Sequence, residues 1–147
     1  MIEHAWSVIC DKTIIDQDTN NISLDVIEQI NFIKVPIPEG MKGIIIPAPL
    51  IIVSLWYRIK SDSPCRGRSR VKILSPSDEQ VGVVEIDIDL TQHQRCRTRC
   101  RINGLPVPNG QSGIFHFIVD LFRDENWAEV AKIPLEVQLS EEQSAKP

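Results

Sequence analysis

Apolar and polar residues alternate with a period of two in many short segments of the chain, which is typical of β-strands with one buried face. In residues 84–90, for example, Val, Ile and Leu alternate with Glu and Asp. Turn-forming residues, such as those at 18–21 and 75–78, separate these segments. We predict a strand at the start of the chain and further strands over residues 22–26, 51–60, 70–73, 81–90, 94–102, 114–123 and 127–139.

No segment carries a convincing helical pattern; residues 24–32 come closest, but they fit a bulged strand about equally well. Many short strands in a chain of this length predict an all-β protein. The expected fold is a single antiparallel β-sandwich, immunoglobulin-like or related, with eight or nine strands. The predicted sandwich domain covers residues 1–139, and residues 140–147 are expected to be a flexible tail without an apolar anchor. The polar residues 124–126 predict a hairpin turn, and Pro134 predicts a bulge or an edge in the strand after that turn.

The composition is that of an ordinary globular domain. Of the 147 residues, 42% are hydrophobic and 24% are charged, and ten prolines outnumber seven glycines. The mean hydropathy of −0.09 argues against the disordered, fibrous and membrane-spanning classes. The first apolar run has no basic flank and is interrupted by Glu3, His4 and Ser7, which is not the pattern of a signal peptide. We therefore expect a cytoplasmic protein that does not bind a membrane.

The four cysteines are expected to be free thiols. Cys96 and Cys100 are four residues apart in a predicted strand, so their Cα atoms would lie ~13 Å apart, too far for a disulfide. Cys10 lies at a strand end, and Cys65 lies in a polar loop where we expect the most exposed thiol. Whether Cys65 has a redox role is left open.

Basic residues concentrate in the middle of the chain, although the whole chain has a net charge of −4. Residues 58–101 hold ten basic and six acidic residues, a net charge of +4, and the remainder has a net charge of −8. Two basic segments have a period of two, so that each places its cations on one face of a strand. The first is Arg95, Arg97, Arg99 and Arg101, and the second is Arg66, Arg68, Arg70 and Lys72.

The first arginine row can bind an anion or can be neutralised by a neighbouring strand. A hairpin of residues 81–90 and 94–102 with paired numbers summing to 184 would place Glu85 opposite Arg99, Asp87 opposite Arg97 and Asp89 opposite Arg95. A shift of one residue would set the acids against the apolar row. Each cross-strand ion pair contributes about 0.2–1 kcal/mol. We expect this hairpin, or pairing with another acidic strand, rather than anion binding by the whole row.

The arginines that this hairpin leaves uncompensated are the expected binding residues. They are Arg66, Arg68, Arg70 and Arg101. Guanidinium groups in such a cluster bind carboxylates or phosphates, so we expect a non-enzymatic module that contacts an acidic protein partner of unknown identity. Nucleic acid is not an expected partner because the chain as a whole is acidic.

A second candidate surface is the apolar triplet Ile44, Ile45 and Ile46, which follows a proline-rich segment. One interpretation is that the triplet forms an edge strand or covers an open end of the sandwich. The other is an exposed interface for a homodimer or another partner. The sequence favours neither interpretation over the other.

The rival to a binding module is a small hydrolase that uses the strand carboxylates of Glu85, Asp87 and Asp89, or His116. A salt-bridged ladder explains the carboxylate spacing more simply, and no nucleophile motif, phosphate loop or dinucleotide fingerprint occurs. His93, Cys96 and Cys100 could begin a zinc site on a helix, but on a strand they do not converge. We expect no enzyme activity, no cofactor and no metal, and we assign no catalytic residue.

Four segments resemble, in order, a group of small uncharacterised bacterial proteins. They are AWSVICDKTIID at 5–16, DTNNISL at 18–24, SPSD at 75–78 and GIFHF at 113–117. In that group an N-terminal strand precedes a short turn and strand, and a Pro-Asp-Gly turn is followed by a Gly-x-Tyr-x-Phe strand. This chain has Phe115 where that group commonly has tyrosine. The resemblance implies a β-sandwich and no assigned activity.

Overall fold

A computed structural model describes residues 1–34, 36–59 and 63–140 of the chain. These residues form strands and turns but no helix, so the prediction of an all-β protein is confirmed. Ser140 ends the last strand, and residues 141–147 of the predicted tail lie outside the described residues. The eleven strands are β1 (Ile2–Ile15), β2 (Ile22–Val26), β3 (Gln29–Ile33), β4 (Gly43–Ile46), β5 (Leu50–Arg58), β6 (Cys65–Leu74), β7 (Gln80–Leu90), β8 (Arg95–Ile102), β9 (Leu105–Pro108), β10 (Gly113–Arg123) and β11 (Asn126–Ser140).

Three sheets organise these strands. A four-stranded sheet has the order β2-β1-β5-β8, and a five-stranded sheet has the order β3-β11-β10-β6-β7. A small sheet of β4 and β9 completes the set among the described residues. Strand β3 runs parallel to β11, whereas the other pairs are antiparallel. The finer prediction of one immunoglobulin-like sandwich with eight or nine strands is not confirmed, because the described residues form eleven strands, two of which pair in parallel.

The hydrophobic core lies between the four-stranded and the five-stranded sheets. Along β10, every second residue from Phe115 to Leu121 is buried and faces this core. Along β5, Leu50, Ile52 and Trp56 face it from the other sheet. Burying each such side chain contributes about 1.5–3 kcal/mol relative to exposure. Trp56 is fully buried, and its indole Nε1 donates a hydrogen bond to Thr98 Oγ1 at 2.9 Å, which satisfies the one polar atom of the ring.

The predicted hairpin of the last two long strands is confirmed. Arg123 pairs with Asn126, so the turn consists of Asp124 and Glu125, both with positive φ (52° and 65°). That geometry is the two-residue turn whose twist suits a hairpin. Pro134 lies where β11 pairs with β10 on one side only, because pairing with β3 begins at Glu136, so the predicted edge is present.

The bulge of β11 lies four residues before Pro134. Val119 pairs with Ala131 but Asp120 pairs with Glu129, which leaves Val130 as the extra residue. Pro134 requires no bulge. Its nitrogen, which carries no hydrogen, faces the side of β11 on which β3 does not yet pair, so no hydrogen bond between strands is lost.

The apolar triplet belongs to β4, which pairs with β9 and covers one end of the core. Ile46 is buried and Ile44 packs against the core, whereas Ile45 is 70% exposed. The interpretation as an end cover therefore fits two of the three residues. The predicted interface reduces to the exposed Ile45 and stays a prediction.

The predicted hairpin of residues 81–90 with 94–102 is wrong. Strand β7 pairs with β6, and β8 pairs with β5 in the opposite sheet, so residues 91–94 connect two layers. The arginines of β6 and those of β8 have the same period of two, so either set could neutralise the acids of β7. The charge pattern alone therefore does not predict which strand pairs with β7. Pairing with β5 also buries Thr98 and Cys100 of β8 in the core. Burial thus favours the long-range partner.

Within the residues that the structure describes, no helix is long and apolar enough to cross a membrane.

Candidate anion-binding site on strand β8

The arginines of β6 are neutralised inside the five-stranded sheet. Arg66 lies opposite Asp89, Arg68 opposite Asp87 and Arg70 opposite Glu85 on β7. Arg66 Nη2 lies 3.9 Å from Asp89 Oδ2. Arg68 Nη1 lies 3.8 Å from Oε2 of Glu85, its diagonal neighbour on β7. These pairs are solvent-exposed, so each contributes at most about 1 kcal/mol. The expectation that Arg66, Arg68 and Arg70 remain uncompensated is therefore wrong, and the acids of β7 serve β6 rather than β8.

Arg70 is further engaged by a buried carboxylate. Asp120 on β10 accepts a hydrogen bond from Arg70 Nε at 2.7 Å, and Lys72 Nζ lies 3.5 Å from the same oxygen. The guanidinium of Arg70 also stacks over Trp127, with 4.5 Å from its carbon to the ring centroid. Arg68 lies in the same way over Phe122. These contacts occupy the β6 cations within the protein and leave them poor candidates for binding a partner.

The arginines of β8 have no such partners. Arg95, Arg97, Arg99 and Arg101 lie opposite Tyr57, Leu55, Val53 and Ile51 of β5, none of which carries a charge. No carboxylate of the described residues lies within 4.0 Å of these four guanidinium groups. Alternate residues of a strand are ~6.8 Å apart. The four cations therefore form a row about 20 Å long; we call it the β8 arginine row.

An open groove of about 740 Å³ runs beside the β8 arginine row. Trp6, Ile22 and Leu55 supply apolar walls, and Arg95, Arg97 and Arg99 supply the charge. Arg97 is half-buried, and its Nη2 donates a hydrogen bond to the backbone oxygen of Asn20 at 2.5 Å, which fixes this guanidinium at the groove. A ligand in the groove would thus meet apolar surface and guanidinium donors together.

A second open groove of about 770 Å³ continues the first. The two share Asn20 and Arg95, and the second adds Tyr57 and His93. His93 is exposed and lies at the end of the row, so its ring can add a hydrogen-bond donor to the site.

Two acidic residues, Asp11 and Asp25, lie on strands β1 and β2 of the sheet that carries the β8 arginine row. Burial raises the pKa of the Cys10 thiol, Asp11 and Asp25 raise it further, and Arg99 opposes them. Cys10 is on β1, two strands away from β8. Asp11, Asp25 and Arg99 thus all act on the same thiol, so acidic and basic side chains meet at this point of the sheet although none of them forms an ion pair with the row.

The residues of the alternative hydrolytic site have different surroundings in the structure. Glu85 and Asp89 are used in ion pairs with β6. Asp89 also accepts hydrogen bonds from Thr91, which lower the pKa of its carboxyl group. His116 lies opposite Pro134 and Leu74, and its Nδ1 is buried without a hydrogen-bond partner among the described residues. No described acid is hydrogen-bonded to His116, whereas an activated base is usually oriented by such a contact.

A serine–histidine contact was not anticipated from the sequence. His4 Nε2 lies 2.7 Å from Ser7 Oγ, which lies 2.7 Å from Ser54 Oγ, and burial lowers the pKa of His4. A nucleophile and base also need an acid that orients the base, and no described carboxylate is hydrogen-bonded to His4. Spacing along β1 could have suggested His4 and Ser7, but the bulge at residue 5 that brings them together gives no sequence signal.

The cysteines are thiols in different surroundings. All four cysteines are free; Cys10 and Cys100 are buried, whereas Cys65 and Cys96 are half-buried. Cys65 and Cys96 are thus both partly exposed, so exposure does not distinguish Cys65 from Cys96. No group of three or more metal-ligating side chains occurs in the part of the chain that the structure describes.

No protein-family model and no curated protein matches this chain. The resemblance to small bacterial β-sandwich proteins therefore stays a prediction, and the interpretation of the site depends on its geometry.

Proposed function

We propose that the protein is a non-enzymatic binding module that holds an anionic partner on the β8 arginine row. One observation carries this proposal. Two arginine rows have the same spacing, but only the row on β8 lacks a carboxylate within 4.0 Å among the described residues. The predicted acidic partner is retained, and its binding residues become Arg95, Arg97 and Arg99 together with the previously assigned Arg101.

The groove adds selectivity to this charge. Guanidinium groups present several donors in a fixed plane, which suits carboxylates and phosphates. Trp6 and Leu55 offer apolar surface beside the cations, so a ligand with both acidic and apolar groups gains from both. A long uniform polyanion gains less, because the chain outside residues 58–101 has a net charge of −8 and repels it.

The expected partner is therefore a short acidic segment of a protein. Three other proposals stand beside this one. They are a relation to immunoglobulin-like sandwiches and to the bacterial group, a cytoplasmic location, and a homodimer through Ile45. Two facing sheets support the first of them, and the parallel pair of β3 and β11 argues against it.

The test is binding of a fluorescein-labelled hexaglutamate peptide, measured by fluorescence anisotropy at low ionic strength. The double variant R97E/R99E should bind at least about tenfold more weakly, because two charge-assisted contacts are lost. The matched control R66E/R68E changes the charge equally on β6 and should stay within about twofold of the wild type.

Equal losses in both double variants would show that only the total charge matters and would overturn the assignment to β8. Absence of binding by the wild-type protein at micromolar concentrations, to this peptide and to a heparin oligosaccharide alike, would overturn the proposed function itself. Circular dichroism spectra of all variants would show that each retains the fold.

A further inference from the structure

Strand β8 is the last strand of its sheet, and β5 is its only partner strand among the described residues. The backbone N–H of Arg58 donates to the backbone oxygen of Gln94 at 2.8 Å, in register with the β5–β8 pairing. In an antiparallel pair, hydrogen-bonded and non-hydrogen-bonded residue pairs alternate. The pairs of β5 with Cys96, Thr98 and Cys100 are therefore the hydrogen-bonded ones.

It follows that the four arginines point their backbone groups outward. The N–H and C=O of Arg95, Arg97, Arg99 and Arg101 face away from β5, toward the open edge. No described backbone or side-chain group is hydrogen-bonded to them there. Each of the four residues thus offers a backbone donor and a backbone acceptor to the open edge, and a guanidinium on the face of the sheet beside that edge.

A strand added to this edge would match that arrangement. The residue directly opposite each arginine would exchange two backbone hydrogen bonds with it. Its side chain would lie on the same face, with Cβ atoms about 5 Å apart. Because both strands advance ~6.8 Å per two residues, acids at every second position would meet the whole β8 arginine row.

We propose that β8 binds an extended acidic segment of a partner protein by β-strand addition, with an acidic residue opposite each arginine. This inference rests on the proposed function and specifies its partner: a strand with alternating acidic and apolar or neutral residues. Intervening side chains of that strand would lie on the core side, next to Cys96, Thr98 and Cys100. The charged edge repels basic strands, and a neutral strand would make the backbone hydrogen bonds without the ion pairs, so charge favours an acidic partner.

Strand β7 lies beside the beginning of this edge. Burial raises the pKa of the Cys96 thiol and the Asp89 backbone opposes this shift, so β7 lies close to the first residues of β8. The segment from Arg97 to Arg101 lies farther along the strand, and its three arginines would be the first to pair.

The test uses three synthetic peptides of the sequence Thr-Glu-Val-Glu-Val-Glu-Thr, labelled at the N-terminus and titrated by fluorescence anisotropy. One is unmodified. The second carries N-methyl groups on the glutamate amides, which would face β8 in the proposed register. The third carries N-methyl groups on the two valine amides, which would face away. The three peptides have the same charge.

We expect the glutamate-methylated peptide to bind at least about tenfold more weakly than the unmodified one, since it loses its backbone donors to the edge. The valine-methylated peptide should stay within about threefold. Equal binding of all three would overturn strand addition while leaving the proposed function in place. Absence of binding by every peptide and by hexaglutamate would overturn both.

Two other occupants give distinct results. Tighter binding of a single-stranded oligonucleotide than of the unmodified peptide, at the same ionic strength, would overturn a protein partner. Strand β7 also has alternating acids, and β6 is its only partner strand among the described residues. Concentration-dependent assembly of the protein alone, lost in both R99E and D87R, would show that a second copy occupies the edge and would also overturn the proposal.

Discussion

Neutralisation of the buried carboxylate of Asp120 tests whether the β6 cations are held inside the protein. The side chain of Asp120 is 4% exposed and lies 2.7 Å from Arg70 Nε and 3.5 Å from Lys72 Nζ. The substitution Asp120→Asn keeps the shape of the side chain and removes its charge. It leaves two cations, each about one-quarter exposed, without their shared counter-charge.

The expected loss follows from this burial. Removing one partner of a fully buried ion pair costs about 3–5 kcal/mol. Water reaches Arg70 and Lys72 in part, so we expect D120N to lower the free energy of unfolding by about 2–3 kcal/mol. For a chain of this size that corresponds to a fall in Tm of roughly 6–10 °C.

The assay is urea unfolding followed by tryptophan fluorescence, with Glu85→Gln as the matched control. Glu85 lies opposite Arg70 on the other side of β6 but is exposed, so E85Q should change stability by less than about 0.5 kcal/mol. A cycle with Arg70→Met should show coupling of that residue to Asp120. A D120N variant as stable as the wild type, or a larger loss in E85Q, would refute the conclusion that Asp120 neutralises Arg70.

Three further predictions follow from the geometry. Glu125→Gly should stabilise the protein by about 0.5–1 kcal/mol because φ at this turn position is 65°, and a lower unfolding midpoint in urea would contradict this. Burial raises the pKa of the Cys100 thiol from its ordinary 9.0 to about 11. The folded state therefore holds this proton more tightly, and the stability that it contributes is present below pH 9 and lost between pH 9 and 11. Cys100→Ala should show a shallower decline in unfolding free energy over that range, and an unchanged slope would argue against a buried neutral thiol. Finally, Ile45→Asp should leave the fold intact, whereas Ile46→Asp should unfold it, because only Ile45 is exposed. Size-exclusion chromatography of I45D also tests the predicted homodimer: an unchanged elution volume would count against it.

Local structure could be predicted from the sequence because a period of two is a local signal. The alternation in β7, β8 and β10 placed these strands within a few residues of their bounds. The turn at residues 124–126 connects neighbouring strands, so it could be recognised without long-range information. Strand β9, with four residues, is too short to show a period and is not predicted. Most of β3 lies in residues 24–32, for which the pattern leaves a helix and a bulged strand open.

Strand partners could not be predicted in the same way. Arg66–Arg70 and Arg95–Arg99 have the same spacing, so the acids of β7 fit either row, and the shorter connection favoured the wrong one. The observation that could have chosen between them is the apolar character of both faces at the start of β5. A continuous apolar run is typical of a strand that is covered on both faces, and β5 is such a strand, with β1 and β8 as its partners. The candidate site depends on this pairing. Because the acids of β7 pair with β6, the arginines without an acidic partner are those of β8 rather than those of β6.

The most direct test of the proposed site is to locate where an acidic peptide binds. A titration of the ¹⁵N-labelled protein with hexaglutamate, followed by NMR, should shift the backbone amides of Arg97, Arg99 and Arg101 and the indole of Trp6. The amides of Arg66 and Arg68, which already contact acids of β7, should not move. Shifts confined to β6 and β7, with β8 unchanged, would contradict the assignment of the free basic face to the β8 arginine row.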